Sequence, residues 1–192
     1  REMRQATLSK RTRSEEKRQS GFRRDLTLFL IYFFLIWAIL FALTRMMPGM
    51  GKWMERLVSR ELALTLRALD LDFAYSGNIF NLNTDQGMEK LYIIAECTGI
   101  FTTMIYIAII GAFPTDNQSR IMGLLLGIPS IHILNYLRVV FIAVILYEKR
   151  ELFGLFHGYL WQIGFVGFML LLVFFWMSRI AVFRSNYRKE KS

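Results

Sequence analysis

Cysteine occurs once and histidine twice in the 192 residues, and each scarcity removes a class of function. A lone Cys97 excludes an intramolecular disulfide, a two-cysteine redox motif and a multi-cysteine metal site. The two histidines, His132 and His157, stand 25 residues apart with no His-Glu-x-x-His helix between them, which is poor material for a metal site. Neither a metal nor another cofactor is therefore expected. Internal repeats and low-complexity tracts are also lacking, which disfavours a transporter built from duplicated halves. The most informative absence is of charge, which is almost missing from three long stretches in the middle of the chain.

What is present is segregated. Hydrophobic residues make up 54% and charged residues 20% of the chain, and the basic residues crowd into residues 1–24 and 179–192, whereas a soluble domain would interleave them. A net charge of +9 is what orientation in a bilayer asks of flanking Lys and Arg, so nucleic acid is not the expected partner. A transmembrane helix needs about 20 apolar residues. The first run, Leu26 to about Met47, ends at Pro48-Gly49; it is too long for a signal-peptide core and lacks a small-residue cleavage site, so it is expected to remain as an anchor. Thr98 to Phe113 is shorter and needs help from its neighbours or a thin membrane. Ile121 to Tyr147 is long and contains Pro129, Asn135 and Arg138. Leu155 to about Ile180 carries His157 and Gln162 near its start.

Four spans would return both ends to one side, and charge chooses that side. Residues 1–25 carry nine basic and four acidic groups, residues 179–192 five and one, and residues 45–96 six and seven. The positive-inside bias predicts cytoplasmic termini and an external 48–97 segment. Within that segment Met54, Val58, Leu62, Leu66 and Leu69 recur at helical spacing while Lys52, Glu55, Arg56, Ser59 and Arg60 fall elsewhere, which predicts an amphipathic helix at the outer interface. Phe73-Ala74-Tyr75 and Leu91-Tyr92-Ile93-Ile94, separated by Gly77, Asn78, Asn81, Asn83 and Gly87, read as two strands of a β-hairpin. The expected fold class is an all-α polytopic membrane protein of about four transmembrane helices with this small extracytoplasmic addition. Its expected divisions are a basic cytoplasmic tail (1–25), a first transmembrane helix (26–47), the extracytoplasmic segment (48–97), a three-helix transmembrane core (98–180) and a second basic tail (181–192).

Ionisable groups inside a span are costly and call for a reason. Arg138 lies about 17 residues, or roughly 25 Å, into a helix that starts at the cytoplasmic surface. Taken alone it is either a structural cation or a functional one. Asn135 is three residues earlier on the same face and can hold the guanidinium or offer its amide to a ligand. Cys97 stands at the outer entrance of the second span, His157 at that of the fourth, and Arg138 approaches the same depth from the third. A lone cysteine is ordinarily an inert small hydrophobe, but here a thiol, an imidazole and a guanidinium reach one level of the outer leaflet. Glu96 adjoins Cys97, and its negative charge opposes thiolate formation. His132 lies about 120° around the helix from Arg138 and reads as a packing or hydrogen-bonding residue.

Three strings, Glu96-Cys97-Thr98-Gly99-Ile100, Asn135-Tyr136-Leu137-Arg138-Val139-Val140 and His157-Gly158, follow one another on successive membrane segments. In this order they resemble the exosortase/archaeosortase family over about residues 70–180. The resemblance implies a membrane cysteine protease or transpeptidase that processes C-terminal sorting signals of secreted proteins. It carries the catalytic cysteine onto Cys97, the arginine onto Arg138 and the histidine onto His157, with Asn135, Glu96 and Gly99 as supporting or substrate-binding residues. The implied partners are a membrane-anchored protein substrate and a lipid- or glycan-linked acceptor, and the implied location is the cell membrane, with the site near the extracytoplasmic surface. The chain departs from the family in having four expected spans where many relatives have more, and in placing its acid directly before the cysteine rather than two residues before. The competing reading is a non-catalytic membrane scaffold or small transporter in which Arg138 is structural and Cys97 inert.

Overall fold

The computed structural model describes residues 2–85, 87–155 and 161–181. Helix α1, Glu2–Met46, is followed after Met47 by α2, Pro48–Ala68. Pro48 opens α2, a position where its missing N–H is no loss. The basic stretch read as a tail is therefore continuous in backbone with the first apolar helix. Strands β1 (Phe73–Ser76), β2 (Ile79–Thr84) and β3 (Gly87–Tyr92) come next, then a short 3-10 turn at Ala95–Thr98. Helices α3 (Ile100–Ala112), α4 (Asn117–Glu148), α5 (Arg150–Leu155) and α6 (Trp161–Phe175) complete the order, and α6 runs on as a π-helical segment, Trp176–Ala181.

The chain is mostly helical, and three of its described helical stretches are long and apolar enough to cross a membrane: Arg23–Met46, Asn117–Glu148 and Ile163–Ala181. The 13 residues of α3 cover only about 20 Å, less than the roughly 30 Å hydrocarbon core. This helix starts two residues later than the apolar run, because Gly99 takes a left-handed φ of 73° and separates the 3-10 turn from α3.

The segment of residues 48–97 differs from expectation in two ways. In place of a two-stranded hairpin there is a three-stranded antiparallel sheet of order β1-β2-β3. The missed strand is β2, whose Asn81 and Asn83 resemble turn residues but alternate with Phe80 and Leu82, both buried. Alternation places the asparagines on the other face. Gly77, with φ 63°, supplies the first tight turn. The second difference concerns α2, whose apolar stripe faces protein: Val58, Leu62 and Leu66 are wholly buried in one core with Phe80, Leu82 and Leu91 of the sheet and Val139, Ile142, Ala143 and Leu146 of α4. Ser59 joins the buried side and Leu69 is exposed, both against the predicted stripe.

A second core binds α3, α4 and α6 through Tyr106, Ile110, Ile131, Phe165 and Trp176. Two glycines let these helices approach. A Cβ on Gly127 would overlap the ring of Tyr106, and one on Gly123 would overlap the indole of Trp176. The aromatic groups use the space to bond backbone: Tyr106 Oη donates to the Gly123 carbonyl at 2.9 Å and Trp176 Nε1 to that of Ser119 at 2.8 Å. Such partners matter where no water can replace them.

Candidate functional site

The Cys97 turn joins the sheet to the membrane helices. Strand β3 passes through Ile93 and Ile94 into the 3-10 turn, where Cys97 N donates to Ile94 O at 2.8 Å and Thr98 Oγ1 to Ala95 O at 2.7 Å. The Gly99 carbonyl then receives both the backbone N–H and the hydroxyl of Thr103, at 2.9 and 3.0 Å. A sharp reversal thus leaves Cys97 at the head of α3. Its side chain is half-buried against the core of α2, the sheet and α4, with Sγ 4.0 Å from the Tyr92 carbonyl oxygen. Glu96 is exposed.

Asn135 reaches this turn from α4. It is 0% exposed, and its Nδ2 donates to the Cys97 carbonyl at 2.6 Å. Its Oδ1 is buried and has no hydrogen-bond partner among the described residues. Gly99 is required here twice over: its φ of 73° favours glycine, and a Cβ would lie 3.1 Å from Asn135 Cγ. Of the two roles expected of Asn135, holding the guanidinium or offering its amide to a ligand, the described contacts show neither; its amide nitrogen instead holds the backbone of the cysteine turn.

Arg138 follows Asn135 by one helical turn on the same face of α4. It is half-buried, and its Nε is buried with no hydrogen-bond partner among the described residues. A buried guanidinium nitrogen without an acceptor among the described residues is uncommon in a folded protein. Cys97, Gly99 and Asn135 are thus in contact, and Arg138 lies about one helical turn further along α4. His157 and Gly158 lie outside the described residues.

A neighbouring polar cluster went unread in the sequence. His132 Nε2 lies 3.2 Å from Glu61 Oε1 of α2, and the Tyr136 hydroxyl pairs with that of Thr65 and donates to the Glu61 carbonyl at 3.4 Å. Glu61 and Thr65 on α2 match His132 and Tyr136 on α4, each pair four residues apart, so two rungs tie the helices. The matched spacing was the available signal. His132 accordingly does what a hydrogen-bonding residue was expected to do. It also lines an apolar cavity of about 460 Å³ between α1, α2, α3 and α4, together with Leu43, Met50, Trp53, Thr98 and Met104.

The comparison with known families covers more of the chain than the three strings did. A family model described as transmembrane exosortase matches residues 20–177, from the end of the basic stretch through the whole helical core. No curated protein and no solved structure matches. With most of its length matched, and with three described helices long and apolar enough to cross a membrane, the chain belongs to the transmembrane exosortase family.

Proposed function

We propose that the protein is a membrane-embedded cysteine transpeptidase or protease that cleaves a C-terminal sorting signal from membrane-anchored secreted proteins. Family membership supports a membrane enzyme of transpeptidase type. The residue assignment rests chiefly on one observation: the only thiol in the chain is partly accessible in a turn fastened at 2.6 Å to the helix that carries Arg138.

In this reading Cys97 attacks the scissile carbonyl as a thiolate, forming a carbon–sulfur bond and an oxyanion. The Arg138 guanidinium, whose Nε has no hydrogen-bond partner among the described residues, donates to that oxyanion. His157 takes the thiol proton and returns it to the departing amine as the carbon–nitrogen bond breaks, leaving a thioester on Cys97. An acceptor amine, a lipid- or glycan-linked group, or water resolves the thioester and regenerates the thiol. Four membrane crossings, with α3 as the short one, put both termini in the cytoplasm and the cysteine turn at the outer surface, where the substrate's apolar tail lies beside it.

The test uses the uniqueness of the thiol. A membrane-impermeant alkylating reagent added outside should label Cys97 and abolish processing of a reporter carrying the C-terminal tail of a secreted protein encoded beside this chain. Cys97→Ala should leave that reporter uncleaved. Normal processing by Cys97→Ala, or resistance of Cys97 to the reagent in folded protein, would replace the enzyme with a scaffold.

A further inference from the structure

The sheet has an open edge that ends at the cysteine. Among the described residues strand β3 pairs only with β2, and the phase of that pairing decides where its remaining backbone groups point. Ile93 N donates to Asn78 O at 2.8 Å, so with the register Ile79↔Tyr92 and Phe80↔Leu91 the residues bonded to β2 are Gly87, Glu89, Leu91 and Ile93. The other ladder agrees, since Asn83 N donates to Asp72 O at 3.0 Å and turns the alternate residues of β2 toward β1. Met88, Lys90 and Tyr92 therefore direct their N–H and C=O groups away from the sheet. The outward carbonyl of Tyr92 is the one that Cys97 Sγ approaches at 4.0 Å. All three residues are exposed, Met88 at 66% and Tyr92 at 52%.

We propose that this edge is the substrate-docking strand: an extended peptide stretch pairs its backbone with Met88, Lys90 and Tyr92 and delivers its scissile carbonyl to Cys97. The inference rests on the reading of Cys97 as the nucleophile. Outward groups recurring every second residue, about 6.7 Å apart, bind any extended backbone and leave alternate side chains to set specificity. The occupant is a peptide because only a backbone offers donors and acceptors at that repeat. Its direction follows from the chain itself. Strand β3 leads into the cysteine turn and then into apolar α3, so a substrate whose extended stretch leads into an apolar tail runs parallel to β3. Strand β1 is the other edge of the sheet, but it lies about 10 Å away across β2.

Two variants separate backbone pairing from side-chain contact. Lys90→Pro removes an outward N–H while the ladder to β2, carried by Glu89 and Leu91, stays intact, as prolines on edge strands allow. It should slow cleavage of the tail reporter about tenfold or more, whereas Lys90→Ala should stay within about twofold. In Cys97→Ala protein, p-benzoylphenylalanine in place of Met88 should crosslink the reporter, and the same group in place of Tyr75 on β1 should not. Wild-type cleavage by Lys90→Pro, or crosslinking from the Tyr75 position as strong as from the Met88 position, would overturn the docking strand. If Lys90→Pro does not fold, the crosslinks alone decide. Cleavage that survives Cys97→Ala removes the nucleophile reading instead, and the crosslinks, which need no chemistry, tell the two failures apart.

Discussion

Asn135 Nδ2 and the carbonyl oxygen of Cys97 meet at 2.6 Å across 38 residues of chain. The contact joins the middle of α4 to the head of α3, so the thiol's backbone is set by the helix that also carries Arg138. A buried amide serving a backbone carbonyl removes an acceptor that would otherwise go unpaired.

Loss of that contact should be felt both in stability and at the thiol. Asn135→Ala should destabilise the protein by about 1–3 kcal/mol, and Gly99→Ala by about 1–2 kcal/mol for its left-handed backbone, with further strain from the 3.1 Å approach to Asn135. Thermal unfolding in detergent measures the first effect and the rate of Cys97 alkylation the second. An Asn135→Ala protein unchanged in both would show that the contact is incidental.

Arg138 and His132 stand on one helix and should differ in consequence. Arg138→Lys should fold but lose about 10²–10³ of turnover, since an ammonium cannot reproduce the planar fork at an oxyanion. His132→Ala breaks a half-exposed pair with Glu61, worth about 1 kcal/mol or less, and should retain most cleavage. Reporter cleavage in membranes, normalised to folded protein, compares them. Equal losses would undo the assignment of Arg138.

The two helix-packing glycines should be intolerant where Gly164 is not. Gly127→Ala drives a methyl group into Tyr106 and should cost about 1–3 kcal/mol. Gly164→Ala, with nothing within 4 Å of the added carbon, should be neutral or slightly stabilising. Detergent melting of the two variants supplies the comparison, and Tyr106→Ala combined with Gly127→Ala should recover part of the loss attributable to the clash. Indistinguishable melting of Gly127→Ala and Gly164→Ala would mean that α3 and α4 are not packed through that glycine.

Orientation is open to a direct measurement. Reporter fusions placed after residues 24 and 192 should behave as cytoplasmic, and one inserted at exposed Asn83 of β2 as external. A C-terminal fusion reporting from outside would separate the ends of the chain and break the four-crossing arrangement.

How much of this was legible depended on whether the signal was local. Apolar runs and flanking charge announce membrane helices because the cost of burying a charge in hydrocarbon is met residue by residue. The stripe on α2 was visible for the same reason, although periodicity reports a buried face without naming what buries it; the sheet and α4 do so here. Strand β2 was lost because Asn81 and Asn83 outweighed the alternation of Phe80 and Leu82 in so short a run.

By itself the sequence determined the class of molecule, the family strings and the uniqueness of Cys97. Only the tertiary structure decided that the Asn135 amide holds the cysteine turn, that Glu61 and His132 face each other, and that Gly123 and Gly127 are packing sites. The open edge of β3 beside Cys97 was likewise beyond the sequence. Each of these depends on the rotation of one helix about its axis or on the register of one strand against another. Both are chosen by side-chain interlock between distant segments, which no single run of residues contains.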